Sequence, residues 1–443
     1  MLSVHCGAFE PETHWREKDL ATLPSVPDPR SARVIEAMDE LLFVFCRPGD
    51  KLLTARRMNE AHVRYLNTLG FDFLPSTFDV CPAGQSHGRS ATNLFSAIAE
   101  QSDDRPLAAF IRSAVHLKPF AIVPGVIELA QRYGMDSQFP SQEIIRWVNT
   151  KSYSLHVRDV LGLPNVGISV EDTQAFQEHG SRLLARGPYL VKDDYGVSGK
   201  GNQIVTQAST IDRLADYLRR QEKEGKHIRF VLEPLLPKKL DLSCQFHLSR
   251  DGLFRFISVQ HLVNEGLAFG MSCSPTSDLL ATLEGAGYFP LMEQVAKELY
   301  SEGYFGDVCV DSMLLKDGTL SPLVEINARK SMSLIKHEMD IYLNARSQSG
   351  ILTSITASHD GVMSFGNLLD LLHEHELLFE PDRDVGILPL SATTLFPAST
   401  SPEERNVRGR IYVEAVSVTP EQRLSLLASL ASEMRRNGFR VRE

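Results

Sequence analysis

A series of short segments typical of β-strands fills the chain between residues 189 and 330. Seven segments are rich in β-branched and aromatic residues, at 189–192, 203–206, 228–233, 243–248, 254–259, 307–315 and 322–327. Turn sequences that contain Asp-Gly, at 249–252 and 316–318, predict hairpins between neighbouring segments. Helical patterns at about 209–222 and 289–302 interrupt the series. This stretch therefore predicts an α+β body with antiparallel sheets.

In the region before this body, predicted strands alternate with predicted helices. Residues 40–46, 71–75 and 120–124 are predicted strands, and 58–69 and 127–133 are predicted helices. Strands that alternate with helices favour a parallel sheet, so we expect a small α/β domain here.

The C-terminal region ends in a strand followed by a helix. Residues 411–418 alternate between apolar and polar side chains. Thr419 is predicted to cap the helix, with Pro420 at its first position and Gln422 completing a capping box. Gly438 suits the position just past the helix end. The predicted apolar stripe of this helix consists of Leu424, Leu427, Leu430 and Met434.

These patterns predict three parts of mixed α/β and α+β class. An N-terminal α/β domain spans residues 1–145, an α+β body spans 146–345, and a C-terminal extension spans 346–443.

Charge and composition exclude several classes of protein. The chain has 46 Lys and Arg against 56 Asp and Glu, a formal net charge of −10, without a long basic run. We therefore expect no nucleic-acid partner. No stretch reaches the roughly 18 consecutive apolar residues of a membrane span, so we expect no membrane association and a cytosolic protein. The six cysteines contain no CxxC pair, which argues against a zinc ribbon or a redox dithiol.

The first segment with chemical meaning is a strand that ends in a lysine and continues into a loop rich in Gly and Ser, at 191–201. Glycines let backbone N–H groups approach phosphate oxygens, and Lys192 supplies a positive charge. The loop is not a Walker A motif, because Gly201 follows Lys200 where that motif has Ser or Thr.

The second segment is the predicted hairpin around 316–318. Glu325 and Asn327 lie on one face of its second strand, because side chains alternate along a strand. Asp311 can reach the same face from the first strand. Two carboxylates and an amide oxygen are hard oxygen ligands that suit Mg²⁺. Arg329 adds a guanidinium for phosphate or carboxylate.

The third segment is a strand that becomes an extended linker, at 231–236. Its exposed backbone groups, as far as Leu236, suit recognition of an adenine ring. Glu233 can accept from an exocyclic amine, and Asp241 can accept from ribose hydroxyls.

In this order, the three segments resemble the ATP-grasp superfamily of carboxylate–amine ligases over residues 145–335. Asn-Thr-Lys-Ser at 149–152 is similar to the family's first phosphate-binding lysine segment, and Glu-Ile-Asn-x-Arg at 325–329 is its most specific motif. The chain departs from the family pattern at Asp193 and Ala328, where proline is common. Length and layout are also similar to the pheganomycin-type peptide ligases of natural-product pathways.

The resemblance implies an ATP-grasp fold preceded by a pre-ATP-grasp domain. The implied nucleotide-binding residues are Lys151, Lys192, Ser198, Gly199, Gly201, Glu233, Leu236 and Asp241. The implied metal ligands are Asp311, Glu325 and Asn327. The implied catalytic residues are Arg329 and Lys200. The implied cofactors are ATP and Mg²⁺, with Mn²⁺ as an alternative metal.

The implied reaction joins a small carboxylate to an amine, such as an amino acid or peptide, through an acyl phosphate. One alternative is a ligase that loads an amino acid onto a carrier protein or forms a thioester. A second alternative is a nucleotide-binding regulatory protein without turnover. A homodimer remains open, and the sequence does not identify either substrate or a catalytic base.

Overall fold

The computed structural model describes residues 1–26, 28–81, 94–100, 105–164, 167–197, 200–265, 268–397 and 406–442, with the backbone only at positions 197, 200, 265 and 268. The strands of these ranges are β1 (Ser3–Cys6), β2 (Lys51–Leu53), β3 (Leu74–Pro75), β4 (His116–Pro119), β5 (Ile168–Val170), β6 (Tyr189–Val197), β7 (Lys200–Val205), β8 (Phe230–Pro234), β9 (Lys238–Leu248), β10 (Phe254–Glu265), β11 (Ala268–Cys273), β12 (Gly306–Leu315), β13 (Leu320–Asn327), β14 (Gly350–His359), β15 (Gly386–Pro389), β16 (Val407–Val416) and β17 (Arg440–Val441).

The α-helices are α1 (Glu12–Trp15), α2 (Pro29–Glu36), α3 (Glu60–Thr68), α4 (Leu94–Glu100), α5 (Arg105–Ile111), α6 (Val126–Arg132), α7 (Gln142–Val148), α8 (Lys151–Val160), α9 (Thr173–Leu184), α10 (Ala208–Lys223), α11 (Ser277–Gly285), α12 (Tyr288–Ser301), α13 (Met332–Asn344), α14 (Phe365–Glu374) and α15 (Pro420–Arg436). A 3₁₀-helix spans Ala37–Phe45. No helix in the described part of the chain is long and apolar enough to cross a membrane.

The N-terminal region contains the predicted parallel sheet, in the order β3-β2-β1-β4. The strand prediction at 40–46 was wrong, because these residues belong to the 3₁₀-helix. The segment is buried on nearly all sides, and an apolar run of this kind does not distinguish a buried strand from a buried helix. The predicted strand at 120–124 was also misplaced, since the paired residues are those of β4.

Two antiparallel sheets follow. A four-stranded sheet has the order β5-β8-β6-β7 and packs against α9 and α10. A larger sheet runs β13-β12-β9-β10-β11-β14-β16-β15, with β17 beside β14. All seven strand segments predicted between 189 and 330 lie in these two sheets, so the predicted α+β body is confirmed.

The C-terminal strands continue the larger sheet. Strand β14 pairs with β11 through Met271 and Thr353, and β16 pairs with β14 along its whole length. One hydrophobic core contains residues of the N-terminal sheet together with residues of β14, β16 and α15. The boundaries proposed at 145/146 and 345/346 stay predictions.

Helix α15 begins as predicted, with the Thr419 side chain accepting from the backbone N–H of Gln422. Gly438 has φ +87° just past its end. The second half of the capping box does not form, because the Gln422 side chain accepts from Ser417 Oγ instead. The predicted stripe is wrong at Leu424, which is 51% exposed, and Leu426 takes its place in the core.

The N-terminal and C-terminal regions are joined through a buried carboxylate. Glu40 Oε1 accepts from the backbone N–H groups of Ala392 (2.9 Å) and Thr394 (3.2 Å), and Oε2 accepts from Thr393 (3.2 Å). Glu40 is 1% exposed, so water cannot replace it.

Replacing Glu40 by Ala should therefore lower the free energy of unfolding by about 3 kcal/mol or more, because three buried donors lose their acceptor. Glu40→Gln should cost less, since one carbonyl oxygen remains. Urea unfolding measures both, with exposed Glu421→Ala as a control expected within about 0.5 kcal/mol of the parent. If Glu40→Ala lowered the free energy of unfolding no more than Glu421→Ala does, this role of Glu40 would be contradicted.

Candidate active site

The predicted hairpin forms from β12 and β13. The turn is closed by a hydrogen bond from the Leu315 N–H to Thr319 O (2.8 Å), and Gly318 has φ +87°. Asp311 lies directly opposite Glu325 and so shares a face with it, as predicted. A register shift between Asp311 and Met313 produces this pairing, because Met313 pairs with Ser321 nearer the turn. Asn327 donates from Nδ2 to Asp311 Oδ2 at 3.0 Å. The three side chains predicted to bind a metal are therefore brought together.

The two carboxylates of this hairpin favour a cation. Burial, together with the neighbouring Glu325 carboxylate, raises the pKa of Asp311 to about 6. Within the described ranges, no group of three or more His, Cys, Asp and Glu side chains is arranged to hold a metal ion. The hairpin nevertheless presents two carboxylates and one amide oxygen, so the donor set fits Mg²⁺ whose remaining ligands are waters or phosphate oxygens.

Arg329 follows β13 and donates hydrogen bonds to an amide oxygen and to a carboxylate. It donates from Nη2 to Asn327 Oδ1 at 3.1 Å, and from Nε to Glu12 Oε1 at 2.9 Å. Glu12 comes from α1 of the N-terminal region and is 4% exposed. Burial lowers the pKa of Arg329, but Glu12 outweighs this effect and the net shift is upward. The guanidinium is therefore charged and fixed beside the predicted metal ligands.

Lys151 connects the hairpin to the smaller sheet. Thr150 caps α8 by accepting from the Tyr153 N–H, which places Lys151 at the first position of the helix. Its Nζ atom donates to Gly196 O (2.7 Å) in β6 and to Glu325 Oε1 (3.3 Å) in β13. Burial lowers the pKa of Lys151, but the surrounding carboxylates, first among them Glu325, give a net upward shift.

Lys192 and Glu233 form a buried ion pair between β6 and β8. Glu233 Oε1 also accepts from Arg158 Nη1 at 3.0 Å. Burial raises the pKa of Glu233, but Lys192 and Arg158 together bring it below its ordinary value. Both oxygens of Glu233 are thus engaged by cations, and its predicted contact with an adenine amine stays a prediction.

The linker after β8 belongs to no strand, and it ends in a tight turn centred on Pro237 rather than in the predicted extended form. Leu236 is half-buried, and its carbonyl accepts from the Lys238 N–H at 2.8 Å. Asp241, in β9, accepts from Lys238 Nζ (2.6 Å) and Asn264 Nδ2 (2.5 Å). The roles of both residues toward a nucleotide stay predictions.

The predicted phosphate loop joins β6 to β7. Ser198 and Gly199 lie outside the described residues, and at Lys200 only the backbone, paired with Val197, is described. Gly201 has φ +79°, and a Cβ atom there would lie 3.1 Å from Asp193 Cβ and from Gly196 Cα. A glycine is therefore required at this position.

Sequence reasoning missed Glu12 and Arg158. Arg158 lies seven residues after Lys151, so helical periodicity on α8 indicates that the two share a face. Glu12 carries no local signal, because its partner Arg329 is 317 residues away in the chain.

No protein-family model matches this chain. Among curated proteins, the butirosin acyl-carrier protein–L-glutamate ligase of Niallia circulans is 24% identical over 311 residues, which are 69% of this chain and 67% of that protein.

Several solved structures match nearly the whole chain. Biotin carboxylase of Campylobacter jejuni, in complex with an ATP analogue, has a TM-score of 0.56 at 14% identity and covers 99% of this chain and 92% of its own. N5-carboxyaminoimidazole synthetase of Staphylococcus aureus has a TM-score of 0.52 at 13% identity and covers 97% and 96%. At this level of identity, the likeness shows that the folds agree.

The contact between Glu12 and Arg329 can be tested by stability alone. Arg329→Gln should lower the free energy of unfolding by about 3–5 kcal/mol, because it leaves the Glu12 carboxylate buried without its cation. Glu12→Gln should restore much of this loss when combined with it. Urea unfolding of the two single variants and the double variant measures the coupling. Effects that add to within about 0.5 kcal/mol would contradict a direct interaction.

Proposed function

We propose that this chain, which has the ATP-grasp fold, is an ATP-dependent carboxylate–amine ligase that works through an acyl phosphate. The observation that supports this most is the position of Lys151. Its ammonium contacts both the carbonyl of Gly196, before the phosphate loop, and Glu325 of the predicted metal set. Lys151 of α8 therefore lies between the strand that leads into the phosphate loop and a carboxylate of the larger sheet.

In this proposal the nucleotide lies between the two antiparallel sheets. Lys151 and Lys192 bind its phosphates, and the segment from Glu233 to Leu236 binds the adenine. Asp241 binds the ribose. Both lysines are buried and already oriented by carboxylates, so little conformational entropy is lost when phosphate arrives.

Asp311, Glu325 and Asn327 would hold Mg²⁺, or Mn²⁺ in its place. When bound, the metal neutralises charge on the transferring phosphoryl group. Arg329 lies next to these ligands and is placed to bind the acyl phosphate through its planar guanidinium. Lys200 is proposed to contact the phosphates from the loop.

The proposed reaction has two steps. A carboxylate oxygen of the donor attacks the γ-phosphorus, the bond to the β,γ-bridging oxygen breaks, and ADP leaves. The amine nitrogen of the acceptor then attacks the acyl carbon, phosphate leaves, and the nitrogen loses one proton to solvent or a basic group. The products are an amide, ADP and phosphate.

A carrier-borne substrate is the second candidate function. The curated relative is named as a ligase of L-glutamate and the butirosin acyl-carrier protein. In this form of the reaction the acyl phosphate is the same, and a thiol of the carrier displaces phosphate to give a thioester. The same relative supports a place in natural-product biosynthesis for this chain.

A screen of carboxylates with amines, and with pantetheine as a free thiol, tests the proposal. The expected result is ADP release that requires a particular carboxylate, together with a hydroxamate when hydroxylamine is added. Mass spectrometry identifies the product and so separates amide from thioester. If no carboxylate stimulated ADP release, the proposal that the chain is a ligase would be overturned.

The metal set gives a sharper prediction. Glu325→Gln should lower carboxylate-dependent ADP release by about 100-fold or more, since loss of a metal ligand raises the barrier by several kcal/mol. Glu293→Gln, on the exposed face of α12, is the matched control. Its rate of ADP release should stay within about twofold of the parent's. Equal rates in the two variants would contradict the assignment of Glu325.

A further inference from the structure

Four arginines project from one face of the C-terminal end of the larger sheet. Arg408 lies opposite Ser358, and Ser358 lies opposite Arg440 on its other side. Arg410 lies opposite Thr356, and the Arg442 N–H donates to the carbonyl of Thr356 at 3.0 Å. Directly paired residues of antiparallel strands share a face, so we call Arg408, Arg410, Arg440 and Arg442 the arginine stripe.

The arginine stripe is exposed and has no anionic partner among the described residues. Arg408, Arg440 and Arg442 are exposed, and Arg410 is half-buried. None of the four forms an ion pair with a carboxylate in the described part of the chain. Across Ser358, Arg408 and Arg440 are about 10 Å apart at Cβ. Like charges at this spacing repel one another, and an external anion relieves the repulsion.

The positive charge of the arginine stripe contrasts with the negative net charge of the whole chain. The net charge is −10, whereas residues 406–442 contain seven arginines against three glutamates. An acidic partner is repelled by most of the surface and attracted here, which orients it. A second copy docking through the same face would place arginines against arginines, so an isologous dimer is disfavoured.

The inner end of the arginine stripe lies near the N-terminal segment that contains Glu10 and Glu12. Tyr412 follows Arg410 on the same face of β16, about 13 Å along the strand from Arg408. Burial raises the pKa of Tyr412, and both Arg410 and Glu10 act on its hydroxyl. Glu10 is two residues from Glu12, the partner of Arg329. The N-terminal segment 10–12 thus lies between the stripe and Arg329.

We propose that the arginine stripe docks an acidic carrier protein that delivers its substrate, or its acceptor thiol, to the candidate active site. This inference rests on the proposed function in its carrier-borne form. A small free substrate needs no such surface, because it makes all its contacts inside the site. A nucleic acid is the less favoured occupant, since it would extend past four arginines onto an acidic surface.

The test compares two variants with equal change of charge. Arg408→Glu with Arg440→Glu reverses two exposed arginines of the stripe. Arg213→Glu with Arg220→Glu reverses two exposed arginines of α10 and serves as the control. The probe is the butirosin acyl-carrier protein bearing its prosthetic thiol, with free pantetheine as the small acceptor. Binding is measured by titration at low and high salt, and turnover by ADP release.

The stripe variant should bind the carrier about tenfold or more weakly than the control, and the wild-type affinity should fall with salt. Rates with pantetheine should be alike in both variants. Equal carrier binding by the two variants, or no carrier binding by the wild type, would overturn the inference. If the wild type bound a duplex oligonucleotide and only the stripe variant lost this binding, a nucleic acid would replace the carrier as the inferred partner. Absent ADP release with every acceptor would instead count against the proposed function, since carrier binding is measured without turnover.

Discussion

The pairing of Asp311 with Glu325 places two carboxylates side by side, and the structure around them depends on how their charge is balanced. Like charges directly opposite on neighbouring strands are destabilising, and both side chains are half-buried. Two cations, Lys151 and Arg329, reduce this cost. Lys151 reaches Glu325 from α8, and Arg329 connects Asn327 to Glu12 of the N-terminal region. The balance of buried charge therefore fixes how three parts of the chain meet, in addition to apolar packing.

A second buried charge cluster makes the C-terminal strands integral to the fold. Lys336 of α13 pairs with Asp340 and with Glu414 of β16, and both Lys336 and Glu414 are fully buried. Burial raises the pKa of Glu414 to about 7 although Lys336 opposes the shift. A Cβ atom at Gly350 would lie 2.3 Å from Glu414 Oε1, so the neighbouring strand leaves room for glycine alone. Removing one member would leave an uncompensated charge in the core.

The sequence predicts features that depend on neighbouring residues. Alternation and the turn at Gly318 predict β12 and β13, and with them the shared face of Asp311, Glu325 and Asn327, whereas the register shift that places Asp311 opposite Glu325 is not predicted. Features that depend on tertiary contacts escape such reasoning. Residues 41–46 are apolar, and such a run suits a buried strand or a buried helix equally. Glu12 acquires its role only because folding brings it to Arg329.

The cations of the candidate site have a common arrangement that bears on how an anion can enter. Lys192 is paired with Glu233, Lys151 with Glu325 and Arg329 with Glu12. These carboxylates orient the cations, and they also cancel much of the positive potential that attracts phosphate. A nucleotide entering alone would therefore meet little net attraction, while one that carries a divalent cation brings positive charge to Asp311 and Glu325. Under the proposed function, the arrangement thus favours a nucleotide that carries its metal over a bare nucleotide.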